Sequence, residues 1–120
     1  MPLPVPHPLK EYHLNVFASQ IGATPVAGYT AVPKKGRIVG IKGVQSAAVT
    51  GTAAIAVAIN GGAAIASLAL AMTGGGAGSE FAAAANSTDA ADVNEDDVIS
   101  VTPSGATGSA TGSFTLVIRT

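Results

Sequence analysis

The fold turns on residues 50–76, "TGTAAIAVAINGGAAIASLALAMTGGG". The stretch has no charge, and little in it is larger than Ile. Lys42 and Glu80 bracket an uncharged window longer than the ~20 residues a membrane-spanning helix needs. Three features argue for strands instead. Asn60-Gly61-Gly62 breaks the window in its middle. The large apolar residues alternate, with Ile55, Val57 and Ile59 to one side and Ala54, Ala56 and Ala58 to the other, which is the two-residue period of a strand. Alanine, which dominates, also adds little to membrane insertion compared with Leu or Phe.

Asn-Gly between two alternating runs signals a hairpin with a type I′ turn, because both residues accept positive φ. Residues facing each other in an antiparallel pair share a face. A loop of two or four residues therefore puts Leu68, Leu70 and Met72 on the face of Ile55, Val57 and Ile59, whereas a three-residue loop puts them opposite. One clear core face favours the even loops. Ile65 then lies on the other side, among the alanines. That small-residue side is expected to be covered as well, by a second layer, the N-terminal arm or a neighbouring subunit.

Outward from this stretch, residues 12–19 ("YHLNVFAS"), 37–44 ("RIVGIKGV"), 98–103 ("VISVTP") and 114–120 ("FTLVIRT") also read as strands. "EFAAAA" at 80–85 fits a helical turn, a short strand or coil. Gly- and Pro-rich stretches separate these runs, and "GATGSATGS" at 105–113 reads as a flexible turn of small residues. Six or more short strands divided by turns predict an all-β domain, a β-sandwich or jelly-roll-like fold. Pro at positions 2, 4, 6 and 8 rules out helix and predicts an extended arm. The division is an extended Pro-rich N-terminal arm at residues 1–12 and a single sandwich domain at 13–120.

Composition narrows the function. The chain has 120 residues, a net charge of −1 and only 11% charged residues. Its six Lys and Arg form no basic stripe, which argues against nucleic acid as a partner, and 4% aromatics leave little for stacking on bases or sugars. With no Cys there is no disulfide framework, thiol catalysis or Cys-based zinc site. The N-terminus lacks the basic and apolar regions of a signal peptide. Few charges beside 48% hydrophobic residues suit a chain that hides surface in an assembly, since interface centres are depleted of charge.

No catalytic constellation is visible. The acidic residues Asp89, Asp92, Glu95, Asp96 and Asp97 lack EF-hand spacing and read as a solvated turn whose charges keep a hydrophobic strand from mispairing. "TGGGAGSE" lacks the Gly-Lys-Ser/Thr of a phosphate loop. His7 and His13 have no nucleophile or third ligand in register, and packing at a surface or interface suits them better than a metal. Lys34, Lys35 and Arg37 form a basic knot at a strand entry, suited to a solvated turn or to an acidic partner surface. Neither a cofactor nor a metal is called for.

Residues 33–120 carry a motif series: "PKKGRIVGIKGV", "TGTAAIAVAINGGAAI", "NEDDVISVTPSG" and a closing "GSFTLVIRT". The series resembles that of bacteriophage head decoration, or cement, proteins. Here Asp96 stands where such sequences often have Gly before the Asp at position 97. The resemblance implies a non-enzymatic structural virion protein, made in the bacterial host cytoplasm and located on the outer capsid surface. It implies a homotrimer that binds the major capsid protein of an icosahedral phage head and bridges capsomers to stabilise the shell, with no membrane partner. The interface residues put forward are Leu3, Val5, His7, Leu9, Tyr12, His13, Tyr29, Lys34, Lys35 and Arg37. The alternative is a phage tail, fibre or baseplate module that binds a receptor glycan.

Overall fold

A computed structural model describes residues 11–47, 49–73, 76–85 and 91–120 of the chain. Nine strands follow one another: β1 (Glu11–Ala18), β2 (Gly28–Ala31), β3 (Gly36–Gln45), β4 (Thr52–Ile59), β5 (Leu70–Thr73), β6 (Glu80–Ala84), β7 (Asp92–Val93), β8 (Val98–Ser104) and β9 (Gly112–Arg119). They form two antiparallel sheets. Sheet one has the order β1-β9-β3-β6, with β7 also on β3; sheet two has the order β2-β8-β4-β5. The expected β-sandwich is the observed fold. "EFAAAA" forms strand β6. No helix among the described residues is long and apolar enough to cross a membrane.

Alternation fills the space between the sheets. Sheet one sends in Val16 and Ala18 from β1, Phe114, Leu116 and Ile118 from β9, and Ile38 and Ile41 from β3. Sheet two answers with Ala53, Ile55 and Val57 from β4, Leu70 and Met72 from β5, and Ile99 and Val101 from β8. Ile38 and Ile41 share a face despite their odd spacing because a bulge at Val39 shifts the register against β9 between Ile38 and Gly40. The extra residue flips the alternation once, and a strict two-residue period does not foresee it. Full burial of a Leu, Ile or Phe side chain is worth about 1.5–3 kcal/mol, so this interdigitated layer dominates the stability.

The stretch at 50–76 confirms part of its reading and corrects part. Ile55 pairs with Leu70 and Ala53 with Met72, antiparallel, so the large residues share the core face as parity requires. Asn60 and Gly61 both take positive φ, 52° and 72°, and the Gly62 N–H donates to the Ile59 carbonyl at 3.0 Å. That is the φ signature of the expected I′ turn. The strands do not zip from it. Residues 60–69 make an excursion that contains a 3₁₀ turn at Ala66–Leu68, and Leu68 is fully buried. Ile65 is buried rather than among the outer alanines, its N–H bonded to the Val57 carbonyl at 2.8 Å. The departure places Ile65 and Leu68 in the core. The returning chain thus caps the core before it pairs with β4 as β5.

Two further corrections concern ends. β1 already includes Glu11 and Tyr12, paired with Arg119 and Ile118, so the sandwich starts within the segment assigned to the arm. Of the stretch 105–113, read as a flexible turn, residues 112 and 113 open β9, and the loop at 105–111 is tied on several sides. Thr107 exchanges two backbone hydrogen bonds with Thr50, and Ala110 and Gly108 carbonyls accept from Ile21 and Ala23. Gln20 Oε1 accepts from the N–H groups of Gly22 (2.9 Å) and Ala110 (3.0 Å). Small residues here permit close backbone approach, and the bonds that follow fix the loop.

Candidate interaction surfaces

Three surfaces remain once the core is filled. The first is the outer face of sheet two. Its cross-strand rows are Ala31–Val98, Tyr29–Ser100–Ala58, Thr102–Ala56 and Ser104–Ala54–Ala71. The face carries no charged side chain. Ala54, Ala71 and Thr102 are exposed, and Ala56 and Ala58 are half-buried. Among the described residues no second layer covers it. Short side chains on a pleated sheet make a nearly flat surface that a second flat surface can approach closely.

The second is the side seam where the edge strand β1 of sheet one lies against the edge strand β2 of sheet two. A Cβ on Gly28 would stand 2.4 Å from the Phe17 carbonyl oxygen, so the two backbones touch there. Three exposed apolar side chains belong to this side: Phe17 at 61%, Val26 at 46% and Tyr29 at 69% relative exposure. Exposed aromatics of this size are typical anchors of interfaces.

The third is one end of the sandwich, where Glu11, Lys34, Lys35, Arg37, Asp92, Glu95, Asp96, Asp97 and Arg119 gather. The other described charges, Lys42 and Glu80, lie on sheet one. Register builds the cluster: Glu11 faces Arg119, Arg119 faces Arg37, and Arg37 faces Asp92. Arg37 meets Asp92 at 3.5 Å, and Arg119 meets Glu11 at 3.3 Å. A cavity of about 570 Å³ opens beside this row, lined by Lys35, Arg37, Asp92, Asn94 and Arg119 among others. The acidic turn at 94–97 stands next to it. Asp97 accepts from the Asn94 N–H at 2.8 Å and from the Asn60 amide at 3.0 Å. These two bonds, the first the stronger, hold its carboxyl below the ordinary carboxylate range. Asp96 takes φ of 70°, the sign that position i+2 of a type II turn demands. Asp tolerates this left-handed conformation at a cost that Gly avoids.

The proposed interface residues do not form one patch. Lys34, Lys35 and Arg37 stand at the charged end. His13 is exposed on the outer face of sheet one, level with Val117 and Gly40. Tyr29 is on the neutral face of sheet two. Tyr12 is half-buried and packs against the core, and its hydroxyl donates to the Lys34 carbonyl. Burial pushes its phenol above the ordinary value. Tyr12 thus braces the basic turn from within. Leu3, Val5, His7 and Leu9 lie outside the described residues. Sequence reasoning missed Arg119 and Asp92 as partners of Arg37. An Arg opening one strand and another closing the last strand is the available signal, but it becomes informative only once β3 and β9 are known to be neighbours. The described residues contain no group of three or more His, Cys, Asp or Glu placed to hold a metal ion.

No protein-family model matches the chain, and no curated protein matches it. Solved structures of similar shape exist. A carbohydrate-binding module, CBM36, in complex with calcium and xylotriose superposes with a TM-score of 0.53 at 14% identity, covering 84% of this chain and 78% of that one. A family 35 carbohydrate-binding module from Clostridium thermocellum gives a TM-score of 0.49 at 15% identity, covering 89% and 90%. At this identity the likeness to CBM36 is one of fold, a two-sheet β-sandwich.

Proposed function

We propose that this protein is a non-enzymatic capsid decoration protein, which attaches as a homotrimer to the outside of an icosahedral phage head and stabilises the shell by bridging capsomers. The observation that carries the reading is the neutral outer face of sheet two. A face of Ala, Ser and Thr without charge is costly to leave in water only in small measure, but it loses little desolvation energy when another surface covers it. A rigid sandwich with such a face suits a protein whose task is to be held in place. The motif series at 33–120 supplies the virion context. Cement proteins need many copies and simultaneous contacts, and linking several modest contacts multiplies their strength. A molecule that binds only the assembled shell stabilises it by mass action.

The test is to add purified protein to expanded heads that lack it. Stoichiometric, saturable attachment and greater resistance of the heads to heat are expected; no attachment at micromolar protein overturns the capsid role. Removing residues 1–10 from the same protein is expected to weaken attachment or trimerisation while the sandwich stays folded.

A second reading has its own observation. Tyr29 presents an exposed ring at the edge of an uncharged sheet face, and rings stack on sugars. A virion module that binds a receptor glycan, on a sandwich shaped like the CBM36 module, uses such a ring. Clear hits on a glycan array that vanish in Tyr29→Ala favour this reading.

A further inference from the structure

We infer that Asn60 is a site of spontaneous deamidation, kept intact by the latch its own side chain forms to the start of β8, and that its conversion breaks this latch. The inference stands apart from the capsid reading and holds whatever the protein binds. Asn60-Gly61 is exposed in the turn after β4. Gly61 has no side chain to shield its nitrogen, and a Cβ built there meets no heavy atom beyond its chain neighbours within 4 Å among the described residues. Asparagine is a thermolabile residue, and a glycine after it removes the steric barrier to its loss of ammonia. The Gly61 nitrogen gives up its proton to solvent and attacks Asn60 Cγ. The new N–C bond closes a succinimide ring, and the Cγ–Nδ2 bond breaks to release ammonia. Water then opens the ring at one carbonyl or the other, leaving aspartate or isoaspartate.

The folded chain holds the amide away from that attack. Asn60 Oδ1 accepts from the Val98 N–H at 2.8 Å, and Asn60 Nδ2 donates to Asp97 Oδ1 at 3.0 Å. The Asn60 N–H also donates to the Val98 carbonyl at 2.7 Å, so backbone and side chain are tied to the same residue. The positive φ values at Asn60 and Gly61, 52° and 72°, are those of a type I′ turn, which points the Gly61 nitrogen away from the Asn60 side chain. Ring closure needs the two on one side, so the latch must open and the turn must change shape first. Such an opening is a local event at an exposed corner, and the rest of the sandwich stays folded through it. Conversion then keeps the latch from closing. Aspartate at position 60 puts a carboxylate oxygen where Nδ2 donated, 3.0 Å from Asp97 Oδ1, and two like charges replace a charge-assisted hydrogen bond. Asp97 also accepts from the Asn94 N–H at 2.8 Å, so the disturbance reaches the 94–97 turn.

Peptide mapping by mass spectrometry tests this on the full chain, incubated in mildly alkaline buffer with and without guanidinium chloride. Asn60 is expected to convert at least about tenfold more slowly in the folded chain than in the denatured one. Asp97→Ala removes the acceptor of Nδ2 and is expected to speed the folded-state reaction about tenfold, with the denatured rate unchanged. Gln20→Ala weakens the sandwich at its other end and keeps the test valid against mere loss of stability; it is expected to leave the Asn60 rate at the wild-type value. Thermal unfolding at neutral pH reads the consequence. Asn60→Asp is expected to unfold several degrees below the wild type. Adding Asp97→Asn to it is expected to recover most of the loss, because an amide again faces a carboxylate. No conversion of Asn60 in the denatured chain overturns the site. Equal rates in the folded and denatured chains, indifference to Asp97→Ala, or the same acceleration by Gln20→Ala overturns its protection by the latch. An Asn60→Asp chain as stable as the wild type overturns the consequence.

Discussion

Across the outer face of sheet one the rows read Glu11–Arg119–Arg37, His13–Val117–Gly40–Ala84, Asn15–Thr115–Lys42–Ala82 and Phe17–Ser113–Val44–Glu80. Across sheet two they read Tyr29–Ser100–Ala58, Thr102–Ala56 and Ser104–Ala54–Ala71. Both faces belong to sheets of similar size over the same core. The first mixes charges, an imidazole and an amide with exposed Phe17 and Val44. The second carries no charge, only small residues, a few hydroxyls, the Tyr29 ring and Val98. The difference teaches that the blandness of residues 50–76 is not spent on the core alone. Its large residues face inward, and its alanines make a flat, neutral exterior.

The sharpest way to break this comparison is a charge on each face. Ala56→Arg is expected to weaken self-association or head attachment by about 3 kcal/mol, the order of cost for an uncompensated charge in an interface. Ser113→Arg, exposed on the central strand β9 of sheet one, is expected to leave both unchanged. Light scattering and head co-sedimentation read the two variants side by side, and equal effects erase the distinction between the faces.

The seam that joins the two sheets gives the next largest effect, on stability. Gly28→Ala forces a methyl toward the Phe17 carbonyl oxygen, where backbone cannot give way, at an expected cost of about 2–3 kcal/mol in chemical denaturation. Gln20→Ala should cost about 1–2 kcal/mol. It removes the acceptor shared by Gly22 and Ala110 and the 3.1 Å bond from Gln20 Nε2 to Ser109 at the uncharged end. Neither variant touches the neutral face, so association measured per folded molecule should hold.

The smallest effect is at the charged end. The Asp97 carboxyl is depressed in the folded chain, so its stabilising contribution is present above the ordinary carboxylate range. It is lost as pH falls through that range and below, to the folded value. Asp97→Asn should therefore lower stability at neutral pH and flatten the acid limb of the stability profile. Thermal unfolding followed from pH 7 into the acid range shows this as two curves that converge at low pH.

How much of this was legible follows from where the information sits. Alternation is local, so β1, β3, β4, β8 and β9 could be read from their own residues. The side shared by Ile55, Val57, Leu70 and Met72 could be read from parity. The excursion at 60–69 could not, because Ile65 and Leu68 fill a core that distant strands build. The Val39 bulge, the fixing of 105–111 by Gln20 and Thr50, and the Arg37–Arg119 row all require knowing which strands are neighbours. Charges far apart in sequence meet only through sheet order, so the basic knot at 34–37 was visible but its partners were not.

The central claim is that the neutral face of sheet two is a contact surface between copies of this chain in an assembly. The most direct measurement is the light-scattering mass of the purified chain at micromolar concentration, taken with Ala56→Arg as its control. The account predicts three times the chain mass for the wild type and a shift toward one chain mass for the variant. A wild type of one chain mass at every concentration, or a trimer unmoved by Ala56→Arg, contradicts it.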